Sequence, residues 1–192
     1  MPLAVDDART RASRARMLAT AARILAREGY TGLTMERVAA DSGVAKTTVY
    51  RHWPAKAALC MDLYLEEAGR ELKDPDTGQV ASDLRHIVNA VVRLQTRTVA
   101  GAAFLGLIAE AQINPESREA FLAEFAERRR AITRDVLRRA VRRGELRKDV
   151  DIDLVIDLIG GATTFRLLQR HAPLNAKFAD ALVALVLEGA AR

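Results

Sequence analysis

The stretch Thr34–Lys56, TMERVAADSGVAKTTVYRHWPAK, decides how this chain folds. It spells two short helices around a glycine turn, the second rich in hydroxyls and cations, which is the pattern of a helix-turn-helix that reads DNA. Thr34 is placed to cap the first helix. Its hydroxyl can accept an orphan backbone N–H, Leu33 and Val38 stand at the spacing of a hydrophobic staple, and Glu36 suits the positive helix end. The helix is expected to begin at about Met35 and to stop near Asp41. Ser42 and Gly43 follow, and a tight turn calls for the positive φ that glycine adopts without a steric penalty. Ala39 leaves room for the two helices to approach, and Val38, Val44 and Val49 supply the contacts between them. Ala45, Lys46, Thr47, Thr48, Tyr50 and Arg51 are then left facing outward, as donors and methyl groups of the kinds that meet base edges and phosphates.

Glycine-turn hairpins also serve as plain structure in all-α proteins, so the motif needs a second argument. Charge supplies it. The 192 residues hold 30 Lys and Arg against 25 Asp and Glu, a net +5. The first 60 residues carry ten of those cations and five of those acids, so the whole excess surrounds the hairpin and the remaining chain is neutral overall. An excess of cations beside a groove-reading helix suits a polyanion, because each neutralised phosphate releases counterions. The competing reading is a solvated basic face.

Outward from the hairpin, strand signals are nearly absent and Ala, Leu, Arg and Glu dominate, so the fold class is all-α. A first helix is expected from about Arg11 to Arg27, with Gly29 as its stop and the basic lead-in Arg9 to Arg16 either along a phosphate backbone or solvated. Trp53-Pro54 ends the reading helix, and a longer connector is expected from about Ala55 to Lys73. The turn-rich run Lys73 to Gly78 breaks the chain. Five more helices are expected at about Ala81–Ala100, Ala103–Ile113, Pro115–Arg143, Asp151–His171 and Asn175–Ala190, with Asn114-Pro115 as a cap and Gly144 and Pro173 as stops. The arginines between 128 and 143 have the acids Glu124, Glu127 and Asp135 nearby on a long helix and read as a solvated face rather than a second polyanion site.

The run Gly29-Tyr30, Leu33-Thr34, Val38-Ala39-Ala40, Ser42-Gly43-Val44, Thr48-Val49-Tyr50, His52-Trp53 and Lys56 with Leu59 resembles the TetR family of bacterial transcriptional regulators. The likeness covers about residues 15 to 60. Two positions depart from the commonest pattern, Thr47 where glycine is frequent and Trp53 where phenylalanine is frequent. The C-terminal half matches in architecture, with a weaker likeness around Arg142–Arg147 and Asp151–Gly161. The resemblance implies a helix-turn-helix DNA-binding domain over residues 1–56, and a helical ligand-binding and dimerisation domain over 57–192.

It also implies roles. Lys46, Thr47 and Tyr50 match positions that reach base edges, and Thr34, Thr48, His52 and Lys56 match positions that hold phosphates; Tyr50 partly buried and His52 as an interface histidine are the alternatives. The expected protein is a ligand-responsive repressor that binds a pseudo-palindromic double-stranded operator as a homodimer and is released by a small hydrophobic effector. Candidate effector-lining residues are Val88, Val91, Val92, Gln95, Phe104, Ile108, Gln112, Phe121, Phe125 and Phe165, with ordinary core packing as the competing reading. The last two helices are the dimer candidates, through Leu154, Val155, Leu158, Ile159, Ala162, Leu182, Leu185 and Val186, against an intrachain core as the alternative. Gly160-Gly161 costs that helix about 1 kcal/mol per glycine relative to alanine, so a packing reason is expected for the pair.

Catalysis is not expected, and neither a metal nor a cofactor is called for. His52, His86 and His171 are widely scattered, and neither a phosphate loop nor a nucleophile motif is present. Cys60, the one cysteine, makes no intrachain disulfide and reads as a small buried hydrophobe. The apolar runs are too short for a signal peptide or a membrane span, and a cytoplasmic location is expected. The rival function is an all-α protein-interaction adaptor without sequence-specific DNA binding. It leaves the N-terminal charge excess and the outward Thr, Lys and Tyr side chains unexplained.

Overall fold

A computed structural model describes the backbone of residues 3–190 and the side chains of residues 9–123 and 130–189. Among these residues the elements are α1 (Leu3–Gly32), α2 (Met35–Ser42), α3 (Lys46–His52), α4 (Lys56–Glu71), α5 (Val80–Arg97), α6 (Ala100–Ile113), α7 (Pro115–Ala120), α8 (Glu127–Arg143), α9 (Ile152–Gln169) and α10 (Ala176–Ala190). No strand occurs among the described residues, and none of their helices is by itself long and apolar enough to cross a membrane.

The boundaries follow local chemistry. Asn114 accepts the backbone N–H groups of Glu116 and Ser117 and so caps α7, with Pro115 at its first position. Asp151 does the same for α9 through the N–H of Leu154. Two expectations need correction. The first helix starts at Leu3, well before Arg11, and is interrupted at Gly29, whose φ of 68° sets off Tyr30–Gly32 as a separate turn. The single helix expected over Pro115–Arg143 is broken by a π-helical segment, Phe121–Ala126. Such a segment adds a residue to the turn without changing composition, so hydrophobic spacing does not reveal it. It brings Phe121 against Phe104, with ring centroids 6.4 Å apart.

Two cores result. The first joins Met17, Ile24 and Leu25 of α1, Leu33, Val38, Val49 and Trp53 around the hairpin, and Leu59, Cys60 and Tyr64 of α4, and it runs on into Phe104 and Leu107 of α6. The second joins Leu84 and Val88 of α5, Val136 and Leu137 of α8, Val155, Ile156 and Ile159 of α9, and Val183 of α10. Cys60 is completely buried, and burial pushes its thiol up to about 12, so it behaves as the expected inert hydrophobe.

The joint between the two halves is Tyr30. Its ring lies so close to the backbone of α6 that a Cβ added at Gly106 would sit 1.9 Å from it. The Tyr30 hydroxyl donates to Glu110 at 3.0 Å. Lys56, at the start of α4, donates to the Tyr30 carbonyl at 3.3 Å and stands 3.9 Å from the ring centroid. One residue thus ties the segment before the hairpin to α4 and α6.

The same chemical change should therefore have opposite signs at two glycines. Gly106→Ala forces the Tyr30 ring off α6 and should cost roughly 1–3 kcal/mol by overpacking. An added Cβ at Gly69, inside α4, meets nothing within 4 Å among the described residues, so Gly69→Ala should gain up to about 1 kcal/mol in helix propensity. Thermal unfolding of the two variants checks both signs.

Candidate nucleic-acid interface and internal cavity

The hairpin is assembled as its residues require. Thr34 is extended (φ −130°, ψ 153°) and its Oγ1 accepts the N–H of Arg37. That leaves the hydroxyl proton available to donate outward. Gly43 is left-handed (φ 65°, ψ 29°). Its N–H reaches Ala40 O while that of Val44 reaches Ala39 O, so the end of α2 is closed by a Schellman turn that other residues would strain. Val38 and Val49 are completely buried between the helices, while Lys46, Thr47, Tyr50 and Arg51 are exposed and Thr48 is half-buried.

Two ion pairs hold the hairpin at a set angle. Arg37 of α2 forms a two-pronged contact with Glu28 of α1. Asp62 of α4 accepts both Arg14 of α1, at 2.6 Å, and the indole N–H of Trp53, at 2.8 Å. This gives a reason for tryptophan at position 53, since phenylalanine has no donor for Asp62. Of the basic lead-in, Arg9, Arg11 and Arg16 are exposed along α1.

Sequence reasoning treated Glu36 as a helix-end charge, but the fold gives it more to do. Its carboxylate accepts Lys46 Nζ at 2.7 Å and the Tyr50 hydroxyl at 3.0 Å, so one acid on α2 orders two exposed side chains of α3. Lys46, the backbone of Glu36 itself and Tyr50 together hold the Glu36 carboxyl down at about 2, and Glu36 in turn raises Lys46. The phosphate candidates differ among themselves. Lys56 is half-buried in the Tyr30 joint, and His52 is half-buried with Nε2 enclosed and without a hydrogen-bond partner among the described residues.

In the C-terminal half, a cavity of about 450 Å³ lies between the end of α4 and helices α5, α6, α8 and α9. Of the candidate residues, Val91, Phe104, Ile108 and Phe121 line it. Val88 and Val92 are instead packed in the second core. Gln95 is buried one turn beyond Val91, with neither amide atom partnered among the described residues. Gln112 and Phe165 are exposed, and the side chain of Phe125 lies outside the described residues. Sequence reasoning missed the far wall, where Ile156, Ile159, Gly160 and Thr163 of α9 face Ile87 of α5 and Ile132 of α8. Their three- and four-residue spacing on α9 was the available signal. Arg130, on the rim, is held by Asp153 and Asp157 of α9. Arg139 pairs with Asp74 and Asp76, so these two arginines act as staples within the fold.

Seven of the eight dimer candidates, Leu154, Val155, Leu158, Ala162, Leu182, Leu185 and Val186, line one surface groove between α9 and α10. Ile159 is on the other side of α9, buried in the second core and lining the cavity.

Fold and site define a helix-turn-helix transcriptional regulator with a separate helical domain. The family described as "Bacterial regulatory proteins, tetR family" matches residues 17–62, and "Tetracyclin repressor-like, C-terminal domain" matches residues 74–186. The chain belongs to the TetR family. It is 31% identical over 175 residues to the DNA-binding transcriptional repressor TetR of Mycobacteroides abscessus, covering 90% of each chain. It superposes on the crystal structure of the TetR family transcription regulator SCO0332 with a TM-score of 0.78 and 38% identity, over 94% of this chain and 99% of the other. The fold is shared with FadR from Bacillus subtilis, solved in complex with stearoyl-CoA, at a TM-score of 0.72 and 19% identity over 91% of this chain and 98% of that one.

Glu36→Gln removes a negative charge from the exposed face shared by α2 and α3 and frees Lys46. It should raise affinity for random duplex roughly threefold to tenfold and narrow the preference for a specific site. Fluorescence anisotropy with both duplexes measures this. In the wild type the network should persist below the ordinary carboxylate value, 4.5, and be lost as pH falls toward about 2, because a depressed carboxylate favours the folded arrangement above that window.

Proposed function

We propose that this protein is a ligand-responsive repressor that binds a pseudo-palindromic operator as a homodimer and releases it when a small hydrophobic effector enters the C-terminal cavity. The observation that carries the reading is the outward face of α3, where Lys46, Thr47 and Tyr50 stand exposed beside one another on a helix anchored by Val49. Lysine donates to guanine, and a threonine methyl meets the methyl of thymine. Thr34 and Thr48 border that face as phosphate contacts, while His52 and Lys56 would reach a phosphate only by leaving the enclosed site of Nε2 and the Tyr30 ring. Residues 1–56 then read DNA, and residues 57–192 hold effector and partner, in the cytoplasm where the operator is. The kinship with a named repressor favours repression, and the apolar cavity favours an apolar ligand.

The fold offers a route between the two sites. Along α6, Phe104 and Ile108 line the cavity while Gly106 and Glu110 hold Tyr30. Along α4, Leu72 and Lys73 just beyond its end meet the cavity while Lys56 at its start meets Tyr30. An effector that favours one placement of α4 and α6 thereby favours one separation of the two reading helices, which must be roughly 34–36 Å apart to enter successive major grooves.

DNA from upstream of the gene should be bound in preference to random duplex, with affinity falling steeply as salt rises. Lys46→Ala and Tyr50→Ala should abolish that preference while leaving the melting temperature near the wild-type value. Unchanged affinity in mobility shifts would remove these side chains from the reading face. For assembly, Leu158→Asp and Leu185→Asp should give folded monomers, and a wild-type sedimentation mass in both variants would refute the α9–α10 interface.

A further inference from the structure

Helix α9 ends on a residue that its backbone does not favour. Arg170, just after Gln169, is left-handed (φ 51°, ψ 22°), and its N–H donates to the Arg166 carbonyl at 2.9 Å. Glycines hold the corresponding left-handed positions after α2 and α8, Gly43 with a φ of 65° and Gly144 with a φ of 78°. A side chain in this conformation crowds its own backbone, so an arginine kept where the same chain elsewhere uses glycine points to a use for that side chain.

The arginine gains a place on a pocket. A concavity of about 400 Å³ takes polar groups from Arg166, Arg170, His171 and Thr96, and apolar surface from Leu167 and Pro173. Arg166 is already set in place: Nη1 donates to the Pro173 carbonyl at 2.7 Å, and the guanidinium lies 4.0 Å from the ring centroid of Phe178. A guanidinium carries more donors than that one bond uses, so part of its oriented fork can serve a ligand. The His171 ring is steadied by Phe165, with centroids 5.2 Å apart. Charge points the same way. Residues 158–179 contain Arg166, Arg170, His171 and Lys177 and no acid. On α8, by contrast, Arg130, Arg139 and Arg143 each pair with a carboxylate of this chain. Among the described residues the pocket shares no lining with the apolar cavity or with the α9–α10 groove.

We propose that this pocket at the end of α9 is a second ligand site, which binds a small phosphate monoester: Arg166 and Arg170 take the phosphate oxygens, and Leu167 and Pro173 meet the organic group. Two guanidiniums carry more charge than a carboxylate neutralises, whereas a phosphate monoester brings about two negative charges at neutral pH and three strong acceptor oxygens. A phosphodiester of the DNA backbone has a single charge and continues as a chain on both sides, which suits an open face better than a concavity. Leu167, between the two arginines, packs against the core that includes the hairpin, so an occupant here bears on the N-terminal half.

Isothermal titration calorimetry of the full chain with phenyl phosphate, at fixed ionic strength in sodium chloride, tests the site. Saturable binding is expected, with benzoate at least about tenfold weaker. Arg170→Gly removes the guanidinium and the backbone strain together, so it should weaken phenyl phosphate at least about tenfold while raising the Tm by roughly 1–4 °C. Arg170→Asn, which tolerates the left-handed region, should lose the ligand equally and gives the same comparison if the glycine variant does not fold. An excess of random duplex should leave the affinity for phenyl phosphate unchanged. A wild type without saturable binding, or Arg170 variants that bind as the wild type does, overturns the site. Benzoate binding as tightly overturns the phosphate class, and displacement of phenyl phosphate by the duplex overturns the small-molecule site in favour of a DNA contact. A Tm that fails to rise in Arg170→Gly overturns the strain from which the use of Arg170 was argued.

Discussion

The ring of Tyr30 lying on the bare backbone of Gly106 is the contact on which the rest of this architecture depends. A side chain at position 106 would hold the two halves apart, and a residue at 30 without ring and hydroxyl would lose both the packing on α6 and the bond to Glu110. Burial and hydrogen bonding to Glu110 both raise the Tyr30 phenol above its ordinary range, so it stays a neutral donor. Lys56 completes the joint with its charge over the ring. Because Tyr30 lies just before the hairpin, this joint sets where α3 stands relative to the C-terminal helices.

The acids near the hairpin act through the same economy of contacts. Glu28, Glu36 and Asp62 each hold a basic side chain, and each links two elements: α1 to α2, α2 to α3, and α4 to α1. These pairs are substantially solvent-exposed, so their contribution is to geometry more than to stability. A basic surface kept in order by acids is oriented in advance, which would lower the entropy lost on docking in the proposed DNA complex. The acids also impose selectivity, since Lys46 leaves Glu36 only for a partner that replaces what the carboxylate supplied.

The C-terminal half is organised differently. Its helices meet around a cavity instead of closing on it, and α9 is the wall between that cavity on one side and an exposed apolar stripe on the other. Ile156, Ile159 and Thr163 look inward, and Leu154, Leu158 and Phe165 look outward. One helix with two apolar faces has almost no amphipathic signature. For this reason Ile159 and Phe165 were assigned to each other's side when read from sequence.

Local chemistry was enough to make the hairpin legible in sequence. The Thr34 cap, the Gly43 turn and the buried Val38 and Val49 depend on neighbours within a few residues, and the whole charge excess is a matter of counting. Cys60 was likewise readable as a buried hydrophobe from its flanks. What only the tertiary structure decided are relations between residues far apart in the chain: Glu36 ordering Lys46 and Tyr50, Trp53 and Arg14 sharing Asp62, Tyr30 seated on Gly106, and the lining of the cavity by α9. The π-helical turn that swings Phe121 toward Phe104 belongs with them, since an added residue in a turn leaves no mark in composition. Periodicity tells which residues share a helix face. Which neighbour that face meets is set by how the helices pack, and for this reason the exposed face of α3 could be drawn from sequence while the cavity walls could not.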